Sequence, residues 1–262
     1  GKYWIHIISW DGEQESSADF DLTENEGRYV NSGSNCYFYY RMNSDSYVDS
    51  CGSTAAGGSL TATGTTFGSG IGYIDGGARM DGSGDYLKGA DNGIDITDDW
   101  SFEAWINTDD NDEGAIFFVG DNDGTFTNQN ELSIGLMSGK ELEICYGEHP
   151  FEACNLAYRV FTSGVNFDAN QWYHIAVVHD DSAGDITVFV NGVAVVVNDA
   201  TAIASNPSGA NDIYFGKSDH HGDFDGEIDE VRMVNYEKRA FAAGLMLSKI
   251  DPSTNSVTIY NN

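Results

Sequence analysis

The sequence predicts an all-β protein built as an antiparallel sandwich of many short strands. Thirty-one glycines and only three prolines suit a chain with frequent tight turns between strands. Every second residue from Phe102 to Ile106 is apolar and faces the same way, which is typical of a half-buried sandwich strand. Asn191-Gly192 separates two β-branched runs and is a strong short-range signal for a hairpin. These three observations together favour a β-sandwich.

The chain divides into three predicted segments. Residues 1–35 form an N-terminal arm with one strand, residues 36–250 form the sandwich domain, and residues 251–262 form a C-terminal tail. A continuous apolar run at 115–119 predicts a fully buried strand. A short helix is expected at 236–241. We predict strands, in chain order, at 3–10, 37–41, 61–64, 102–106, 115–119, 131–136, 142–146, 172–179, 186–190, 193–197, 212–217, 226–233 and 256–260.

The charge is strongly acidic, with 42 Asp and Glu against 12 Lys and Arg and a formal net charge of −30. Such a surface excludes the electrostatic attraction that draws proteins to nucleic acid or to anionic lipid. Two interpretations stay open. One is a surface adapted to salty water, and the other is a set of carboxylates that holds Ca²⁺. The sequence contains no apolar run of about eighteen residues, so no membrane span is predicted.

The four cysteines fall into two near pairs, which predicts two disulfides, Cys36–Cys51 and Cys145–Cys154. The second pair flanks a Gly-Glu-His-Pro turn, a natural place for a bond that closes a loop. Two disulfides would imply an extracellular, oxidising location. The alternative is four buried free thiols. A structural zinc site is less favoured, because the spacing lacks the closely spaced pairs of ligands, such as Cys-x-x-Cys, that such sites use.

Several stretches resemble laminin-G-like domains, whose fold is the concanavalin A-like jelly roll. The resemblance covers about residues 36–245, and its motifs occur in the family's order. It implies the jelly-roll fold, with Ca²⁺ at the rim of the sandwich and glycans or protein receptors bound nearby. The stretches that carry it are Gly-Gly-Ala-Arg-Met-Asp-Gly-Ser-Gly-Asp-Tyr-Leu at 76–87, Phe-Glu-Ala-Trp at 102–105, Trp-Tyr-His-Ile-Ala-Val-Val at 172–178, Val-Asn-Gly at 190–192 and Gly-Glu-Ile-Asp-Glu-Val-Arg-Met at 226–233.

Asp229 is the first candidate metal ligand. Strand parity places it on the same face as Val231 and Met233, where an unpaired carboxylate is costly to bury. In laminarinase-type relatives the matching Asp helps to bind a structural Ca²⁺, and the resemblance implies partner carbonyls near 41–43 and at Asp81 and Gly82. The competing interpretation is that Asp229 only accepts backbone N–H bonds.

Two acidic loops supply the other candidates, because hard oxygen ligands suit Ca²⁺. The resemblance makes Asp121 and Asp123, in the loop after 115–119, candidate calcium ligands, although plain solvated turns remain the alternative. His220 and His221, with Asp219 and Asp223, could instead hold a transition metal. Adjacent residues of an extended chain point in opposite directions, so at most one of the two histidines is expected to join a given site. The predicted ligand-binding residues of the two loops are Asn130, Asp219, His220 and Asp223.

The predicted function is non-catalytic recognition of a polysaccharide, a glycoprotein or a cell-surface receptor outside the cell, with Ca²⁺ as the expected cofactor. The rival interpretation is a structural subunit of an extracellular filament, an adhesin or a virion surface, packed against neighbouring subunits. An enzyme is not expected. Glycosidases of the related jelly rolls carry Glu-x-Asp-x-Glu on one strand. The nearest match here, from Glu227 to Glu230, has the wrong spacing for a glycoside hydrolase, and no feature favours a polysaccharide lyase.

Overall fold

The structure of the chain is a computed structural model. It describes residues 36–43, 59–74, 76–91, 93–109, 113–120, 131–138, 140–146, 159–198 and 212–238, and elsewhere the backbone of the strands alone. Among the residues that it describes, no helix has the length and apolar character needed to cross a membrane.

The structure contains twenty-two strands in the part of the chain whose backbone it describes. They are β1 Trp4–Trp10, β2 Glu15–Asp21, β3 Cys36–Tyr40, β4 Thr61–Thr63, β5 Thr66–Ser69, β6 Gly76–Asp81, β7 Tyr86–Ala90, β8 Trp100–Thr108, β9 Gly114–Gly120, β10 Asn130–Leu136, β11 Leu142–Glu148, β12 Arg159–Ser163, β13 Trp172–Asp180, β14 Asp185–Val190, β15 Val193–Ala194, β16 Val196–Val197, β17 Asp212–Phe215, β18 Lys217–Ser218, β19 Gly222–Asp223, β20 Asp225–Val234, β21 Met246–Asp251 and β22 Ser256–Tyr260.

Two large antiparallel sheets form the sandwich. Sheet I has the order β16-β12-β11-β10-β9-β17-β7-β4. Sheet II has the order β15-β14-β13-β8-β20-β6-β5, and β3 also pairs with β20. Three further two-stranded sheets are β1-β2, β18-β19 and β21-β22. The predicted antiparallel β-sandwich is therefore confirmed.

The core lies between the two sheets and is rich in aromatic rings. Phe102 and Phe117 stack with their centroids 4.9 Å apart, and Phe38 packs 5.6 Å from Phe117. All three side chains are fully buried. The predicted buried strand at 115–119 belongs to this core, since none of its residues is exposed to solvent. Burial of large rings of this kind is the main source of stability in a sandwich.

The predicted hairpins are present. Leu136 pairs with Leu142 across the turn between β10 and β11, and Val190 pairs with Val193 across Asn191-Gly192. Asn191 and Gly192 both have positive φ angles, 50° and 76°, as the tight hairpin turn requires.

The predicted helix at 236–241 is not found in its described part. Residues 236–238 are not helical, and 239–241 lie outside the described residues.

A second expectation, about the direction of Asp229 in β20, is also wrong. Asp229 does not share a face with Val231 and Met233. A β-bulge between Asp229 and Arg232, with Glu230 at φ 50°, inserts an extra residue and turns Asp229 to the outer face.

Candidate functional site

Three aromatic side chains form a patch on the outer face of sheet II. The Tyr73 ring stacks on the Trp105 ring at a centroid distance of 3.6 Å and lies 5.8 Å from Trp172. Alternation along β8 turns Trp105 outward, and the pairing of Trp172 with Asn107 brings β13 alongside. All three rings are partly exposed. We call Tyr73, Trp105 and Trp172 the aromatic patch.

A strip of polar side chains runs beside the aromatic patch. The Asn107 amide donates to Glu227 Oε2 at 2.8 Å, and Arg79 Nη1 lies 2.5 Å from Glu227 Oε1. The same guanidinium donates to Asp109 at 3.2 Å. Burial raises the pKa of Glu227 above its ordinary value, although Arg79 partly opposes that shift. We call Arg79, Asn107, Asp109 and Glu227 the polar strip.

Glu103 is the centre of an ionic cluster beside the aromatic patch. Lys238 Nζ lies 2.7 Å from Glu103 Oε1, Arg232 lies 3.7 Å from the same oxygen, and His174 lies 3.4 Å from Oε2. Burial raises the pKa of Glu103, but Lys238, His174 and Arg232 more than offset that effect and hold the pKa well below its usual range. His174 also meets Trp105 edge-on at 5.2 Å. The ionic cluster therefore fixes the position of Trp105.

Asp229 lies fully buried under the loop that carries Tyr73. The backbone N–H groups of Ile74 and Glu230 donate to its two carboxylate oxygens, both at 2.8 Å. Burial, together with the charge of Glu230, raises the pKa of Asp229 to about 8. The arrangement agrees with the predicted acceptance of backbone N–H bonds. The predicted calcium role stays a prediction.

Asp81, whose backbone carbonyl was predicted to join Asp229 at the calcium site, lies at a different point along β20. Asp81 pairs with Asp225, four residues before Asp229 on β20, and lies exposed at the end of β6. It accepts the Ser83 N–H at 3.0 Å, which stabilises the following turn. By contrast, the predicted donor segment 41–43 does lie beside the loop, because the Asn43 side chain accepts the Gly76 N–H at 3.0 Å.

Three of the other predicted ligands, Asn130, Asp219 and Asp223, lie on or near sheet I. Asp223 accepts the Gly84 N–H at 2.8 Å and so connects two turns at one rim. Asp219 is partly exposed in the turn between β18 and β19. Asn130 begins β10, and only its backbone is described. Asp121 and Asp123 lie outside the described residues.

His220 does join a cluster, together with His221 and with Glu143, which was not predicted. Its Nε2 lies 3.4 Å from Glu143 Oε1, and His221 Nε2 lies 3.6 Å from Glu143 Oε2. The expectation that only one of the two histidines could reach a given site is wrong, because they occupy a turn rather than an extended strand. Burial raises the pKa of Glu143, but the two histidines bring it down to about 2. Burial lowers the pKa of His221 to about 4.

The described cysteines lie on opposite sides of the sandwich. Cys36 packs with Val234 outside sheet II, and Cys145 packs with Phe118 and Tyr214 outside sheet I. Neither is a free thiol. Because both sheets separate them, they do not bond to each other. Cys51 and Cys154 lie outside the described residues, so the two predicted pairings stay predictions.

The sequence matches the family model described as the concanavalin A-like lectin/glucanases superfamily over residues 81–240. The chain belongs to this superfamily. No curated protein sequence matches the chain.

Solved structures of other concanavalin A-like domains resemble this one. Domain 4 of AbnA, a GH43 extracellular arabinanase from Geobacillus stearothermophilus in complex with arabinotriose, is 18% identical, with a TM-score of 0.52 over 80% of this chain and 95% of that one. The binding domain of Paraclostridial Mosquitocidal Protein 1 is 17% identical, with a TM-score of 0.56 over 78% and 49%. The botulinum neurotoxin serotype D ligand-binding domain in complex with N-acetylneuraminic acid is 15% identical, with a TM-score of 0.55 over 80% and 49%. The chain therefore spans about half the length of the toxin domains.

This concanavalin A-like domain also carries three carboxylates on one face of β20. The sequence prediction considered only the stretch from Glu227 to Glu230 and missed this set. Asp225, Glu227 and Asp229 alternate along the strand and all point outward. Acid–base catalysis needs a carboxyl group within reach of the substrate. Asp229 is fully buried, and Glu227 is paired with Arg79 and Asn107.

Proposed function

We propose that this concanavalin A-like domain is a non-catalytic module that binds glycan chains across the aromatic patch and the polar strip. Its targets would be a polysaccharide or the glycans of a glycoprotein or surface receptor. The observation that carries the proposal is the position of partly exposed rings beside a row of planar hydrogen-bonding groups, since Trp172 pairs with Asn107 across neighbouring strands.

The chemistry of the patch supports sugar recognition. A pyranose has an apolar C–H face that packs on an aromatic ring, and an edge of hydroxyls that bond to amide, guanidinium and carboxylate groups. Here Tyr73 supplies a ring that is backed by Trp105 and partly open to solvent. Asn107 and Arg79 supply donors, and Glu227 and Asp109 supply acceptors.

The charge of the chain favours neutral glycans. A net charge of −30 repels polyanions such as sulfated or uronic acid-rich chains. Within the polar strip, Arg79 is already matched by Glu227 and Asp109. Of the similar structures, one is a complex with arabinotriose, a neutral sugar, and another is a complex with N-acetylneuraminic acid, an acidic sugar. The preference for neutral glycans therefore rests on the charge of this chain.

We also propose a calcium ion beside Asp229 and an extracellular location. A cation fits the chemistry of this place, because the carboxylate is fully buried and Glu230 adds a second negative charge. The Ile74 and Glu230 N–H bonds orient the carboxylate while leaving other lone pairs of its oxygens available. The cysteines support the location, since disulfides persist in oxidising compartments.

One observation favours a structural role as the second candidate. Val193 and Val196, on the edge strands β15 and β16, are 67% and 72% exposed. Apolar side chains on sheet edges are a route to pairing between subunits. A chain that assembles in solution through this edge and binds no glycan would favour the structural role over recognition.

A glycan array tests the proposal. The full chain is expected to bind neutral oligosaccharides in calcium buffer and to bind sulfated chains far less. Absence of binding to any glycan, in calcium and in EDTA, would overturn the proposal. Release of reducing ends from a β-glucan, abolished in Glu227→Gln, would overturn the non-catalytic assignment.

A further inference from the structure

A compact set of metal-ligating side chains lies on sheet I, on the opposite side of the sandwich from the aromatic patch. Glu143, His220 and His221 each offer one ligand atom, and these atoms all lie within 4.8 Å of one another. The two carboxylate-to-imidazole distances are 3.4 and 3.6 Å. Ligand atoms about 2.0–2.1 Å from a tetrahedral Zn²⁺ are separated from one another by about 3.3 Å. The two carboxylate-to-imidazole distances, one to each oxygen of Glu143, are thus close to that spacing, and the whole set is compact enough for a small shift of side chains to close it around an ion.

Two atoms of the cluster face each other without a hydrogen bond. Glu143 and His221 side chains are both 0% exposed. Glu143 Oε2 and His221 Nε2 are both buried and have no hydrogen-bond partner among the residues that the structure describes. A buried polar atom that lacks a partner costs free energy, and here two such atoms point at each other across 3.6 Å. A cation between them would satisfy both.

The surroundings of His221 hold its Nε2 toward Glu143. Ser133 Oγ lies 2.7 Å from His221 Nδ1 and donates to Ser218 Oγ at 3.1 Å. In the tautomer with its proton on Nδ1, His221 donates from Nδ1 to Ser133 and its Nε2 lone pair points to Glu143, as metal binding needs. Ser218 also accepts the His221 N–H at 2.8 Å. Such outer hydrogen bonds fix the tautomer and orientation of metal-binding histidines.

Gly135 on β10 leaves room for the His221 imidazole. A Cβ at this position would lie 2.5 Å from His221 Cγ, so only glycine lets the imidazole rest directly on β10. On the other side of Glu143, Arg159 Nε lies 2.5 Å from Oε1. The arginine forms an ion pair with Oε1 and leaves Oε2 facing His221.

We propose that Glu143, His220 and His221 form a binding site for a divalent first-row transition metal ion, with Zn²⁺ as the reference ion. Two imidazoles and a carboxylate suit such ions, whereas Ca²⁺ takes oxygen ligands. Three protein ligands leave at least one coordination position for water or a bound ligand. His220 is 14% exposed, which gives the ion a route from solvent. The site is independent of the proposed glycan and calcium sites, because it lies on the other sheet.

Titration calorimetry of the full chain with Zn²⁺, after removal of metals with EDTA, tests the site. We expect one Zn²⁺ per chain in the presence of excess Ca²⁺, and Co²⁺ in its place should show the absorption bands of a four-coordinate site. His220→Ala is the deciding variant, because His220 lies in a turn and is partly exposed, so its removal spares the core. It should weaken Zn²⁺ binding at least 10-fold, and Glu143→Gln should do the same.

The controls separate this site from ordinary binding to an acidic surface. His174→Gln removes a histidine from the opposite sheet, and Asp229→Asn removes the proposed calcium ligand, so both should bind Zn²⁺ like the wild type. Thermal unfolding checks that each variant is folded. The proposal is overturned if the wild type binds no Zn²⁺, or if folded His220→Ala and Glu143→Gln keep the wild-type affinity.

Discussion

Substitution of Gly72 by Ala should disrupt the loop that carries Tyr73. A Cβ on Gly72 would lie 1.7 Å from the Gly76 carbonyl oxygen and 2.8 Å from Asp229 Oδ2. Because real Cβ contacts essentially never fall below 3.0 Å, backbone must move by at least 1.3 Å. The clash involves backbone on both sides, so no side-chain rotation relieves it.

The cost of this substitution follows from the size of the displacement. Overpacking of a well-packed site typically costs about 1–3 kcal/mol. For a domain of this size, each kcal/mol lowers the melting temperature by about 2–4 °C. A shift of more than 1 Å also breaks the stacking of Tyr73 on Trp105, because a gap of about 0.5–1 Å already forfeits a quarter to a half of a van der Waals contact.

Gly68→Ala is the matched control, since its Cβ would lie 3.4 Å from the nearest atom, a side-chain carbon of Ile71. Thermal unfolding of both variants is the assay, with glycan affinity as the second readout. Gly72→Ala should melt lower and bind glycan more weakly, while Gly68→Ala should resemble the wild type. Equal melting temperatures for the two variants would refute the described packing of the loop on Asp229.

Three further predictions concern charges, calcium and disulfides. Glu103→Gln should cost about 3 kcal/mol, because it leaves Lys238 and Arg232 without their carboxylate. The folded pKa of Glu103 is depressed, so this stabilisation is present above the unfolded value of about 4.3 and lost as the pH falls. The stability gap between wild type and variant should therefore shrink in acid, and a gap independent of pH would contradict the assignment. Calcium should clearly raise the melting temperature of the wild type, because a free Ca²⁺ concentration of 1,000 times the dissociation constant adds about 4 kcal/mol to the free energy of unfolding. It should raise that of Asp229→Asn much less, and equal shifts would remove Asp229 from the calcium site. Non-reducing peptide mapping should recover two disulfide-linked peptide pairs, and crossed pairs or free thiols would contradict the predicted pairing, which is Cys36–Cys51 and Cys145–Cys154.

The fold was predictable because its signals are local. Alternation along β8 and the Asn-Gly turn each specify an element within a few residues, and the family's motifs follow in order along the chain. The buried run of β9 is equally plain in the sequence. These elements bury their apolar faces in only one way, as two sheets packed on each other.

The candidate sites were less predictable, because they depend on contacts between distant residues and on irregular backbone. No sequence signal near Asp229 predicts the bulge at Glu230, which turns the Asp229 carboxylate to the outer face. Likewise, His221 meets Glu143 only because a turn folds over sheet I, and the rule that adjacent residues point in opposite directions holds only for extended chain. The stacking of Tyr73 on Trp105 likewise joins a loop to a strand some thirty residues later.

The affinity of patch variants for a neutral oligosaccharide tests the central claim most directly. Tyr73→Ala and Trp172→Ala remove rings of the aromatic patch, while Tyr86→Ala removes a partly buried ring from the outer face of the opposite sheet. Aromatic anchors at the centre of a binding site typically contribute about 2 kcal/mol or more. The two patch variants should therefore bind at least about 10-fold more weakly than the wild type, and Tyr86→Ala should bind equally well. Undiminished binding by both folded patch variants would contradict the account.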